Sequence, residues 1–352
     1  MDRALQPQNA YPSHVGSAER LLLRYNYDYK DVLQTGFVFE KDAGEKSLTD
    51  FWSFHMFIKN LRFVEALALG DYKVSFGQGL VIGNSTLFGK SSNTLNTFVQ
   101  NEGLKKNTSC NESAFLRGIG CTFEHRNWNF TTFASHKKID ANLSDSRITS
   151  FKTDGYHRTI NELSKKHNVR ESVIGGNATY KRNNWQIGTT ILWYHYSDSL
   201  SPADKMYDRF KLKEENQTNN IGINYKLFFR RVSLFGEVAT NGFKGIATIN
   251  GMNIQPNSRI GLLAIQRMYR PEYQADFSNA FGENSRTENE SGFYIGTQIL
   301  PLKKVSLSIY ADVFSFPWAK YNINYPSKGQ DYLVQLQHNT SRNMNMQVRY
   351  KY

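Results

Sequence analysis

Proline, cysteine and long apolar runs are what this sequence lacks. Its 352 residues include 8 Pro and 2 Cys. So little proline argues against a linker, and Cys110 and Cys121 are neither a disulfide framework nor spaced as a zinc or redox pair. No uncharged apolar stretch approaches the roughly 18 to 20 residues a membrane helix needs, which excludes a helical membrane protein. The opening residues, Met1-Asp2-Arg3-Ala4-Leu5-Gln6-Pro7, lack the apolar core of a secretion signal. The expectation is that such a signal was removed or lies upstream. Tandem repeats and low-complexity tracts are also missing.

Aromatic residues are abundant: 24 Phe, 20 Tyr and 5 Trp make up 14% of the chain. That is too aromatic for disorder and points to an ordered, strand-rich protein. The formal charge is +12 and the mean hydropathy is −0.55. Lys and Arg are spread along the chain without a dense run. The excess therefore reads as side chains facing an anionic leaflet or lining a pore, better than as a grip on phosphates.

A residue period of two dominates, the mark of strands whose successive side chains point to opposite faces. In the last ten residues Met344, Met346, Val348, Tyr350 and Tyr352 share one face and the other is wholly polar. The stripe Leu21, Leu23, Tyr25, Tyr27, Tyr29 repeats it, as do Trp185, Ile187, Thr189, Ile191, Trp193 and Val305, Leu307, Ile309, Ala311, Val313. Such runs predict strands near 20–29, 33–41, 51–60, 62–83, 114–124, 128–137, 172–181, 184–195, 219–229, 231–240, 244–251, 257–268, 291–301, 304–315, 330–338 and 342–352, about 16 in all. Several approach the ~10 residues of a tilted membrane strand, whereas globular strands average about 5 or 6.

Tight turns follow one strand and long polar loops most of the next, as in outer-membrane barrels. A soluble sandwich or solenoid also alternates, but with short strands and frequent turns. The predicted fold class is an all-β, antiparallel transmembrane outer-membrane β-barrel in the bacterial outer membrane. Its apolar stripe faces lipid and its polar stripe lines the lumen. Residues 1–19 form an N-terminal extension and 20–352 a single barrel domain, with long loops near 84–113, 138–171, 196–218 and 269–290. The first long loop folds into the pore or lies outside as a flap. In the second, Thr159-Ile160-Asn161-Glu162 has capping-box spacing and predicts a short helix at about 160–168. If the long loops face outward, the first and sixteenth strands both have free ends on the outer rim. The expectation drawn from this parity is an interior piece of a larger barrel, missing at least a strand at each end.

Several motifs resemble the barrel region of the Bacteroidota helix-hairpin-helix domain-containing outer-membrane proteins. They are Phe39-Glu40-Lys41-Asp42-Ala43-Gly44, Leu69-Gly70-Asp71-Tyr72, Phe76-Gly77-Gln78-Gly79-Leu80, Phe88-Gly89-Lys90-Ser91, Lys137-Lys138-Ile139-Asp140-Ala141 and Gly155-Tyr156-His157-Arg158-Thr159. Later in the chain come Phe281-Gly282-Glu283-Asn284-Ser285, Asn289-Glu290-Ser291-Gly292, Phe316-Pro317-Trp318 and Pro326-Ser327 followed by Gly329 and Asp331-Tyr332. The resemblance runs from about residue 20 to the end. It implies an outer-membrane location; the helix-hairpin-helix segment that grips DNA in such proteins is absent here, so nucleic acid enters only by family analogy.

The polar residues inside these motifs are the candidate site residues: Glu40, Lys41, Asp42, Asp71, Gln78, Lys90, Lys137, Lys138, Asp140, His157, Arg158, Glu162, Glu283, Asn284 and Glu290. Opposite charges on a barrel wall hold strands and loops in register, and charge rings tune what passes; structural pairing is the favoured reading. His157 beside Arg158 and Glu162 imitates an acid/base site, but a catalytic role needs an oriented partner. The eight His are scattered, so neither a bound metal nor a cofactor is expected. Phe88-Gly89-Lys90-Ser91 carries only the tail of a phosphate-binding loop. The expected function is a non-enzymatic, porin-like channel or translocation scaffold. The alternatives are a plugged structural barrel anchoring periplasmic partners, a DNA-uptake-related barrel and, least favoured, an outer-membrane hydrolase. Outer-membrane lipid, lipopolysaccharide and a periplasmic partner are the expected partners.

Overall fold

The computed structural model describes residues 14–83, 89–99, 102–339 and 344–352. Antiparallel strands follow the alternation of the sequence. The wall opens with β1 (Leu21–Tyr29), β2 (Leu33–Lys41), β3 (Phe51–Leu61) and β4 (Val64–Ser75). The short β5 (Gly103–Lys106) pairs with the end of β4. The wall continues with β6 (Leu116–His125) and β7 (Trp128–Ile139). A separate hairpin, β8 (Ala141–Ser144) and β9 (Arg147–Phe151), and a single helical turn, α1 (Ile160–Leu163), fill the next loop. Then come β10 (Val169–Arg182), β11 (Trp185–Tyr196), β12 (Gln217–Phe229), β13 (Val232–Asn241), β14 (Gly245–Asn257), β15 (Ile260–Tyr269), β16 (Glu290–Leu302), β17 (Val305–Phe316), β18 (Ser327–Asn339) and β19 (Asn345–Lys351). Among the described residues the sheet has 17 strands; setting β5 aside leaves sixteen in the wall.

Each wall strand pairs with the next one along the chain. The ladder runs on without interruption to β19. Among the described residues, β1 pairs only with β2 and β19 only with β18. Every residue of both edge strands is exposed.

The two rims differ. Turns such as Lys30–Asp31, both at positive φ, give the tight mirror-image geometry that matches strand twist. The other rim carries nearly all the long connections, and the free ends of β1 and β19 lie there too.

Outward positions form an exposed apolar belt that includes Trp52, Ile119, Ile174, Ile191, Ile223, Phe293 and Val334. An antiparallel ladder with an apolar outer face pairs the backbone groups between its neighbouring strands internally, as hydrocarbon demands. The chain is an outer-membrane-type antiparallel β-barrel, and among the described residues no helix is long and apolar enough to cross a membrane.

The inner face departs from expectation. It is not a wet polar stripe: Tyr72, Phe133, Tyr194, Phe235, Ile265, Tyr294 and Tyr310 are buried there in one continuous core. The cause is the predicted strand 62–83, which leaves the wall at Ser75. Phe76–Gly83 turns into the lumen and is almost wholly buried, so the wall has apolar surface to pack against. The connection after β4 is therefore luminal rather than a flap, while residues 84–88 lie outside the described residues. The predicted helix 160–168 shortens to one turn, with His167 at positive φ. The unpredicted β8–β9 hairpin turns at Asp145–Ser146, both at positive φ, without the glycine that usually signals such a turn.

Candidate functional site: a luminal latch, two ion clusters and a vestibule

Glu237, on the lumen side of β13, is 1% exposed. Its carboxylate accepts three backbone N–H groups from the inward segment: Gln78 at 2.6 Å, Leu80 at 3.1 Å and Val81 at 3.4 Å. Such charge-assisted bonds are stronger than neutral ones. The approach depends on Gly77 and Gly79, both at positive φ; a Cβ at Gly77 would stand 2.6 Å from Glu237 Oε2, and one at Gly79 2.4 Å from the Asn279 carbonyl. Further ties fix the segment. Asn279 N donates to Gly79 O (2.9 Å), Tyr273 Oη to Leu80 O (2.8 Å), and Gln78 Oε1 accepts Val99 N at 3.2 Å. Farther along, Tyr294 Oη donates to Thr94 O, Phe98 stacks on Phe235 and Glu102 pairs with Lys226. The segment thus crosses the lumen from β4 to the opposite wall.

A charged cluster lies beside it. Arg267 and Glu290 are 0% exposed, with Arg267 Nε 2.5 Å from Glu290 Oε1. The same guanidinium grips Asp312 through two bonds of 2.8 and 3.0 Å. Lys90 reaches Asp312 at 2.7 Å, contacts Glu283 and stands 3.5 Å from Asp331. Backbone N–H groups of Glu283 and Asn284 donate to Glu290. Lys90, Arg267, Asp312 and Asp331, far apart in sequence, are thereby locked with Glu283 and Glu290 between the luminal segment, the 270–289 loop and the wall.

The second cluster sits on the loop-rich rim and is centred on His157, 0% exposed. Its Nδ1 lies 2.5 Å from Asp50 Oδ2 and its Nε2 2.5 Å from Asp140 Oδ2. Burial alone would depress the imidazole, but the bonds to Asp140 and Asp50 outweigh it and raise the pKa to about 9. For both aspartates burial acts upward, yet the bonds from His157, joined by Lys166 at Asp50 and the His167 N–H at Asp140, hold them below the usual carboxylate range. Next to them, burial pushes Glu112 up to about 8. Thr159 and Glu162 form a reciprocal capping box at the start of α1, and Glu162 also accepts the Arg158 N–H. Beside this cluster Arg20 joins Glu40 (2.6 Å) to Asp42 (3.1 Å), and Lys41 donates to the carbonyls of Ser17, Glu19 and Asp42.

The fifteen candidate residues thus divide by place. Glu40, Lys41, Asp42, Asp140, His157, Arg158 and Glu162 gather at the rim, and Gln78, Lys90, Glu283, Asn284 and Glu290 in the lumen. Asp71, Lys137 and Lys138 belong to the wall: Asp71 holds Arg117 through bonds of 2.7 and 2.8 Å, and Lys137 donates to the Ser113 and Phe115 carbonyls beside Glu171. The groups at the centres of the arrangement, Glu237, Arg267, Asp312 and Asp50, lie outside the sequence-predicted set. For the three strand residues the available signal was a charge at a lumen-facing position in the middle of an otherwise uncharged strand.

The chemistry open to these groups is limited. Both nitrogens of His157 are engaged, so it has no lone pair to offer as a base. Ligand atoms of Glu45, Asp50 and His157 lie within 4.8 Å of one another, a spacing that could hold a metal ion. They are already spent: Glu45 accepts the N–H groups of His157 and Asp42, and Asp50 accepts Lys166 at 2.6 Å. The imidazolium stands where a cation would. Above the luminal segment a cavity of about 530 Å³ opens, lined by Lys73, Lys137, Lys138, Lys152, Glu112 and Glu171 among others. A second, of about 300 Å³, shares Phe151 and Asp276 with it.

No family model matches the chain, and no curated protein matches it. Solved barrels are similar in shape. An anion-selective porin from Comamonas acidovorans shares 12% identity, covering 96% of this chain and 91% of that one, with a TM-score of 0.44. OpdQ of Pseudomonas aeruginosa shares 8%, covering 94% and 83%, with a TM-score of 0.49. Wzi, a carbohydrate-binding outer-membrane β-barrel involved in group 1 capsule assembly in Escherichia coli, shares 10%, covering 96% and 75%, with a TM-score of 0.47. No residue correspondence follows from likeness at this level.

Proposed function

We propose that this chain is a non-enzymatic outer-membrane barrel closed by its own inward segment, serving as an anchored scaffold with a vestibule on its loop-rich face. Its long loops face outward and its short turns face the periplasm, as is usual for such barrels. One observation carries the reading: Phe76–Gly83, buried at the centre of the lumen, is bonded through three amides to Glu237 on the opposite wall. An open diffusion pore needs a continuous wet path, and here the middle is filled by an aromatic core. Lipid and lipopolysaccharide meet the outer belt, and a periplasmic partner meets the turn-rich rim. Nucleic acid is not part of the reading.

The porin-like alternative draws on the charged vestibule, where Lys73, Lys137, Lys138 and Lys152 stand beside Glu112, Asp140, Glu171 and Asp276, and which would be the mouth of a path opened by withdrawal of the segment. Kinship with the Bacteroidota helix-hairpin-helix barrels is part of the same proposal. In its favour, the motifs carrying the resemblance include Phe76–Leu80 in the latch and Gly155–Thr159 at the rim cluster. The test is single-channel recording in planar bilayers. The wild-type protein is expected to be silent, and Glu237→Ala to give intermittent openings; steady ohmic steps from the wild type would overturn the plugged reading.

A further inference from the structure

The loop-rich face carries charged groups that the protein leaves unpaired, and they border one continuous cleft. The vestibule of about 530 Å³ opens past Phe151, Thr153, Asp276 and Ser285 into the cavity of about 300 Å³. That cavity shares Lys211, Gln274, Arg286 and Glu288 with a third, of about 280 Å³, which ends among Tyr207, Phe210, Trp318 and Tyr321. Among the described residues, the side chains of Lys73, Glu112, Arg286 and Glu288 form no salt bridge and no hydrogen bond, although all four line this cleft. Glu171 lines it too, with a side chain only 9% exposed. Its Oε1 has no hydrogen-bond donor; Lys137 stands 3.8 Å away, its ammonium spent on the Ser113 and Phe115 carbonyls. A buried polar group without a partner is costly, and a bound molecule that supplies one removes the cost.

The chemistry of the lining selects the occupant. Lys73 and Arg286 share the cleft with Glu112, Glu171 and Glu288, so it has no single sign with which to attract a polyanion or a polycation. Burial pushes the carboxyls of Asp276 and Glu288 upward, as it does that of Glu112. An acid close to holding a proton both donates and accepts, as a hydroxyl does. The outer end is aromatic and held still. Trp318 Nε1 donates to Met206 O at 2.8 Å, its backbone N–H donates to Asn289 Oδ1 at 2.8 Å, and Phe210 stands edge-on to its ring. Tyr321, 71% exposed, meets Tyr207 in the same geometry. With the indole N–H already engaged, Trp318 has ring surface left to offer, and such surface takes up C–H faces. An extended peptide would need a free strand edge. The strand that lines the cleft, β9, already exchanges backbone bonds at Ile148 with Ser199 and Ser201. Hydroxyls alternating with C–H faces, without net charge, are the surface of a sugar chain.

We propose that this cleft binds a neutral oligosaccharide. Its hydroxyls are taken by Lys73, Glu112, Glu171, Arg286 and Glu288, and one sugar ring rests on Trp318 and Tyr321. The site deepens the plugged-scaffold reading by giving the vestibule a ligand, and rests on it for a closed floor. Conductance tests the floor and binding in detergent tests the site, so either can fail alone.

The test is saturation-transfer difference NMR of the purified full chain in detergent with maltohexaose, cellohexaose and mannohexaose, followed by calorimetric titration of whichever binds. The expected result is saturable binding of at least one sugar, weakened about tenfold or more by Tyr321→Ala and by Glu171→Gln. Phe243→Ala, which removes an exposed ring outside the cleft, should leave it unchanged. Tyr321 is itself exposed, so its removal spares the fold, and the circular dichroism midpoint of each variant checks this. Absence of binding by all three sugars would overturn the proposal. Binding that either cleft variant leaves unchanged would overturn it too, as would a hexapeptide of alternating lysine and glutamate that occupies the cleft where the sugars do not.

Discussion

The luminal cluster around Arg267 and the rim cluster around His157 solve the same problem with different chemistry. Each is a buried cation held between two carboxylates from distant segments, Glu290 and Asp312 in one case and Asp50 and Asp140 in the other. The luminal one uses a guanidinium, which keeps its charge at any pH the protein meets. The rim one uses an imidazole, whose charge is conditional. The interior of the barrel is therefore tied permanently, whereas its loop-rich face is tied only while a proton is present.

The strongest way to break this contrast is Arg267→Met, which leaves Glu290 and Asp312 facing each other without their shared cation. Removing one partner of a buried pair costs about 3–5 kcal/mol. The thermal midpoint, followed by circular dichroism in detergent, is expected to fall by a similar amount at pH 6 and at pH 9. Next in size is the pH dependence of the rim. Because the folded pKa of His157 is raised to about 9 from 6.5, its contribution is complete below about 6.5 and is lost as pH rises through about 9. Asp50 and Asp140 are held below their ordinary value, so their contribution exists above the usual carboxylate range and disappears as pH falls through the depressed values. Tryptic cleavage at Lys165 and Lys166 should accelerate between pH 8 and pH 10. The variant His157→Gln should cleave readily throughout and lose that dependence; an unchanged pH profile would refute the switch. The smallest effect is expected from Thr159→Ala, which removes one half of the capping box at the cost of about 1 kcal/mol, confined to the 152–168 loop and read as faster amide exchange there.

The wall was legible because a two-residue period needs nothing beyond local sequence. Leu21 to Tyr29 and Trp185 to Trp193 each announce an outward stripe. The capping box at Thr159 was legible for the same reason, since its partners lie three residues apart. Where the chain leaves the sheet was not legible. Phe76 to Ile82 continues to look like strand, and its departure depends on Glu237, which no local pattern connects to it. The rim shows the same division: His157 and Asp140 stood in recognisable motifs, but Asp50 joins them from a loop 107 residues away.

The latch has a consequence for how the molecule assembles. Gln78 and Glu237 are separated by 159 positions, whereas neighbouring wall strands are joined mostly through short turns. Hairpins can zip from those turns, but the latch has to wait for two remote parts of the chain to meet, and such non-local closure is slow. The order of events follows: β12 and β13 must already stand as a surface before the inward segment has anything to bind. The last step in maturation is therefore the filling of a barrel that exists first as an unfilled ring.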